Sequence, residues 1–73
     1  MDEKALKELL TRDNPEFRKA AQDHQDCERE LEAIRYKTHP TEDDSLAERE
    51  LKKRKLALKD RMYQIMLDYQ RKA

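Results

Sequence analysis

Residues 17–34 read FRKAAQDHQDCERELEAI, and their spacing decides the fold. Phe17, Ala20, His24, Cys27, Leu31 and Ile34 step by three and four in strict alternation. An α-helix turns every 3.6 residues, so this spacing gathers all six side chains on one face as a heptad seam. Asn14 and Pro15 come just before. They supply an N-cap and then a proline at the first helical position, where its missing N–H leaves no bond unmade. Glu16 in the first turn and Arg35 and Lys37 in the last complement the helix dipole. Thr38, His39, Pro40 and Thr41 break the pattern. The spacing predicts a helix near residues 15–37 and a loop near 38–44.

Beyond the loop the seam resumes at Glu48, Leu51, Lys55, Leu58, Met62, Ile65 and Tyr69. Glu42, Asp43, Asp44 and Ser45 offer caps and negative charge for the start, and Arg71 and Lys72 close with the matching sign. The second long helix is therefore predicted near 45–70. Glu48 with Lys52 and Glu50 with Arg54 are favourable pairs one turn apart, worth a few tenths of a kcal/mol each. Before Asn14, Leu6, Leu9 and Leu10 share one face of a short segment near 2–11. A helix that short is unstable alone in water and forms only by docking.

A loop of about seven residues between two long helices favours antiparallel neighbours. In the register this implies, Phe17 faces Ile65, Ala20 faces Met62, His24 faces Leu58 and Leu31 faces Leu51. Charge supports the same register. Asp23, Asp26, Glu28, Glu30 and Glu32 stand on the first helix with only Arg29 among them. Arg49, Lys52, Lys53, Arg54, Lys55, Lys59 and Arg61 stand on the second, with Glu50 and Asp60. Flanking charges of opposite sign fix partner and orientation in helix pairs. The expected fold is all-α: one domain over residues 1–73, an antiparallel, coiled-coil-like hairpin preceded by a short N-terminal helix.

Composition narrows what such a hairpin does. Charged residues make up 47% of the chain, but they cancel to a formal net charge of zero. No global field draws the chain to nucleic acid or anionic membrane. Glycine is absent, which excludes glycine-rich phosphate cradles. The first residues, Met1 to Lys4, lack the apolar run of a secretory signal, and no apolar run reaches membrane-spanning length. A single cysteine fits a reducing compartment. A cytoplasmic protein is expected. At this length the core is marginal, and with no disulfide or metal framework self-association is the remaining common remedy.

His24 and Cys27 lie one turn apart, but zinc needs three or four ligands and His39 sits in the distant loop. Both are read as seam residues, so no metal and no cofactor is expected. Ser45, Cys27, His24 and His39 are the only candidates for nucleophile or base, and no spacing unites them as a triad. No catalytic residue and no enzymatic activity is expected. Lys52 to Lys55 form a basic run with no interleaved aromatics to stack bases. It is read as a solvated face balanced by the acidic helix beside it. Lys55 itself falls in the seam opposite Cys27. There it either snorkels outward over its stem or specifies register. Leu56, Tyr63 and Leu67 form a second stripe that Met66 bridges to the seam. One hairpin cannot bury both stripes, so these four residues are expected to be an association surface.

Asn14, Pro15, Glu16 and Phe17, then His24, Glu28 and Leu31, and after the loop the run from Leu51 to Met62 (LKKRKLALKDRM), resemble the YdcH-like family of small uncharacterised bacterial proteins. The resemblance spans nearly the whole chain. Its most specific part is the combination of Lys55-Leu56-Ala57-Leu58-Lys59-Asp60 with Phe17 and His24 upstream. Cys27 departs from it, standing where the family tends to carry leucine, and Ala20 is smaller than its usual counterpart. Both thin the middle of the seam. The resemblance implies a helical hairpin of bacterial, cytosolic origin and implies no activity. The expected function is a non-catalytic interaction module that self-associates and binds a protein partner. The alternative is a small nucleic-acid-binding protein using residues 49–61.

Overall fold

The computed structural model describes residues 2–72. Helix α1 spans Glu3–Asp13, α2 spans Pro15–Arg35 and α3 spans Glu42–Lys72, with no strand among the described residues. The chain is all-α, as its periodicity predicts. Helices α2 and α3 run antiparallel as a hairpin about three times longer than wide, 49 × 19 × 16 Å.

The joint between α1 and α2 is a single residue. Asn14 is extended (φ −116°, ψ 107°) because the ring of Pro15 disfavours a helical residue before it. Its N–H donates to the Leu10 carbonyl at 2.8 Å, and its Oδ1 accepts from the Phe17 N–H at 3.0 Å. One side chain thus closes α1 and opens α2. Asp2 does the same work at the start of α1, where its Oδ1 accepts from the Ala5 N–H at 2.7 Å.

The second joint differs from the expected loop over 38–44. Helix α2 stops at Arg35, two residues early, and α3 starts at Glu42, three residues before Ser45. The cause is Thr41. Its Oγ1 accepts from the Asp44 N–H at 3.1 Å, while its own N–H donates to Asp44 Oδ2 at 2.9 Å. This reciprocal capping box places Glu42, Asp43 and Asp44 in the first turn, where the dipole favours them. Lys37 then reaches across the turn to Asp44 Oδ1 at 2.7 Å.

Removing this cap has a defined consequence. Thr41→Ala is expected to lower stability by about 0.5–2 kcal/mol in a urea melt. A melt unchanged from wild type would mean that the first turn of α3 does not depend on the box. The Lys37 ammonium and the Thr41 amide together hold the Asp44 carboxyl below its ordinary value of 3.8. Its folded value lies below its unfolded one. The stabilisation is therefore complete above the ordinary carboxylate range and is lost as the pH falls through the lowered folded value.

Phe17 packs with Met62, Ile65 and Met66, at the end of α3 where the expected register places Ile65. Lys55, predicted opposite Cys27, reaches Glu28 Oε1 at 2.8 Å, and Arg61 pairs with Glu16. Ala20, Cys27 and Leu31 are buried along α2. His24, Ile34, Leu51, Lys55, Leu58, Met62 and Ile65 are half-buried. Tyr69 is the exception and is exposed. By register it lies level with Asp13, where the chain turns from α1 into α2, and it lines an open hollow with Asn14 and Glu16.

At the end holding the termini a third layer is added. Leu6 and Leu10 of α1 bury against Phe17 and Met66, with Met62 and Ile65 packed around them. Docking supplies what an eleven-residue helix lacks on its own. Phe17 and Leu6 are each 1% exposed, among the most buried side chains here.

Candidate interaction surface

The four residues of the expected association surface separate. Met66 is buried beneath α1 and belongs to the core. A seam read from two helices does not reveal which flank a third one will cover. Leu67 is half-buried. Leu56 and Tyr63 remain open, at 61% and 59% exposure, seven residues and two turns apart on one face of α3.

One further residue belongs to this face. Leu46 lies inside α3 and is 57% exposed. Steps of three, four and three back from Leu56 along the predicted helix reach it. Tyr36, at the C-cap of α2, is the most exposed large apolar residue, but it stands alone at the hairpin tip.

The basic stretch is partly neutralised. Lys52 pairs with Glu48 at 2.9 Å, Lys55 with Glu28, and Arg61 with Glu16. The expected pair of Glu50 and Arg54 is not among the ion pairs of the described residues. The Lys55 ammonium is the main cause holding the Glu28 carboxyl below its ordinary value, and the Lys52 ammonium acts likewise on Glu48. Lys55 therefore lays its stem in the seam and carries its charge out to a partner on the neighbouring helix. Among the described residues, Arg49, Lys53, Arg54 and Lys59 have no ion-pair partner. They do not form one stripe. At about 100° per residue, Lys53 and Arg54 diverge by about 100°, and Lys59 lies about 120° and 140° from them.

Cys27 is buried, His24 is half-buried beside Glu3, Lys7 and Lys59, and His39 is exposed in the loop. Ser45 lies in the second turn of α3. No group of three or more histidine, cysteine or acidic side chains among the described residues is placed to hold a metal ion. No helix among them is long and apolar enough to cross a membrane.

The model of one protein family, described as protein of unknown function (DUF465), matches residues 17–66. The match covers α2, the loop and most of α3, and leaves α1 outside. No curated protein and no solved structure matches the chain significantly.

Proposed function

We propose that this chain, which belongs to the DUF465 family, is a non-catalytic hairpin that pairs with copies of itself and presents its charged helical faces to a protein partner. The observation that carries this reading is the exposure of Leu56 and Tyr63 on one face of α3. Apolar side chains two turns apart on an otherwise charged helix are the anchors that helix pairing uses. The thin half of the hairpin supports it too. Toward the loop only Cys27 and Leu31 are buried, so a second molecule would add what α1 adds at the other end. The lone cysteine supports a cytoplasmic setting. The likeness to YdcH-like proteins, carried by the same stretch that the family model covers, supports a bacterial one.

The experiment is a double substitution. Leu56→Glu with Tyr63→Glu is expected to lower the oligomeric state in light scattering. A carboxylate buried in an interface costs several kcal/mol, and on a solvated face almost nothing. A double variant that keeps both the native mass and the native melting temperature would remove the basis of the proposal.

The nucleic-acid reading has one observation in its favour, the four cations of residues 49–61 that have no ion-pair partner among the described residues. Their divergence around the helix, with Glu50 and Asp60 between them, weighs against it. Mixed-sequence DNA or RNA is expected to show no binding that weakens steeply with salt; such binding would favour this second reading.

A further inference from the structure

The outer face of α3 carries a second heptad seam. Starting α3 at Glu42 puts Leu46, Arg49, Lys53, Leu56, Asp60, Tyr63 and Leu67 in one helix, stepping by three and four without a break. At about 100° per residue this face lies roughly opposite the hairpin seam, and its flank borders the other helices: Leu56 lines a hollow with Leu31 and Arg35, and Tyr63 one with Glu3, Lys7 and His24. The residues of the outer seam are all exposed except Leu67, which is half-buried. Arg49, Lys53 and Asp60 have no ion-pair partner among the described residues. A seam whose charges are left without partners within its own chain has the form of one half of an interface.

From these observations we infer that two copies pair through this seam, α3 against α3, antiparallel about a two-fold axis passing between the levels of Arg54 and Lys55. The inference rests on the self-association reading above and specifies its geometry. In this register Leu46 meets Tyr63 of the partner subunit and Arg49 meets Asp60 of the partner subunit. By symmetry each contact occurs twice. At the centre, the stem of Lys53 lies over Leu56 of the partner subunit with its ammonium reaching solvent. These layers join apolar to apolar, cation to anion, or an aliphatic stem to leucine, while at each end Leu67 meets Glu42 of the partner subunit.

Other registers lose this match. Sliding one copy by seven residues sets Lys53 against the partner's Arg49. Sliding it the other way sets Asp60 against the partner's Leu56. A parallel pair would put Arg49 on Arg49 and Asp60 on Asp60. Charges within and beside such seams select register and orientation by penalising the alternatives. The chosen register brings Lys52 near the partner's Lys59, but Glu48 already holds Lys52 at 2.9 Å.

Charge reversal tests the pairing. Arg49→Asp places two carboxylates together in each Arg49–Asp60 layer, and Asp60→Arg places two cations there. Each single variant is expected to raise the dimer dissociation constant by roughly a hundredfold, measured by sedimentation equilibrium, because the clash occurs twice. The double variant Arg49→Asp with Asp60→Arg is expected to regain wild-type affinity. An equimolar mixture of the two single variants is expected to form a heterodimer, and circular dichroism reports that each is folded. If the wild type dimerises and the single variants dimerise equally well, the surface is elsewhere and this inference falls while self-association stands. Loss in the single variants without recovery in the double variant also overturns the register. A wild type that stays monomeric at every concentration overturns self-association itself.

Discussion

Phe17→Ala is expected to lower the stability of the chain by about 3–5 kcal/mol in a urea melt, the largest loss of any single truncation. Phe17 is where the three helices meet. It is 1% exposed and packs with Leu6, Leu10 and Met66. Removing the ring opens a void that neither hairpin helix can fill, because their separation is held by Ala20, Cys27 and Leu31 farther along. It also takes away the surface on which α1 folds. Domains of this size retain on the order of 5 kcal/mol in total, so the variant is expected to lose much of its helix signal at 25 °C. A melt within about 1 kcal/mol of wild type would mean that this cluster does not hold the molecule together.

Leu31→Ala is the second large effect, at about 2–5 kcal/mol. Leu31 is buried in the half of the hairpin that α1 does not cover, where Cys27 is the other buried side chain. Losing it leaves Cys27 as the one buried side chain of that half. Leu58→Ala is a useful companion, since Leu58 is in the opposing seam but only half-buried. Less area returns to water there, so its loss is expected at the lower end of the same range. Equal losses at Leu31 and Leu58 would mean that the burial pattern along the seam is misplaced.

The hairpin was legible because a heptad repeats over many turns and two opposing repeats must agree. The run from Phe17 to Ile34 sufficed to place α2, and Leu51 to Ile65 placed its partner. The acidic and basic halves gave the register that Glu28 and Lys55 occupy. Three things were not legible. The loop shortened because Thr41 and Asp44 cap each other, a local bond that competes with the apolar pattern and outweighs Ser45 as a start. Tyr69 stays exposed because α2 begins only at Pro15, one residue beyond its level, and a linear pattern does not show where opposing elements end. Met66 went to the core because α1 docks on that flank, and two-helix periodicity says nothing about a third element. The surface lost Met66 accordingly and gained Leu46.

Pairing of two copies through the outer face of α3 is open to a direct test. The direct measurement is the wild-type mass by sedimentation equilibrium from about one to several hundred micromolar, with the melting temperature followed over the same range. The mass is expected to rise toward two chains and the melting temperature to rise with it, because association stabilises only the folded state. One chain mass throughout, with a melting temperature independent of concentration, would contradict it.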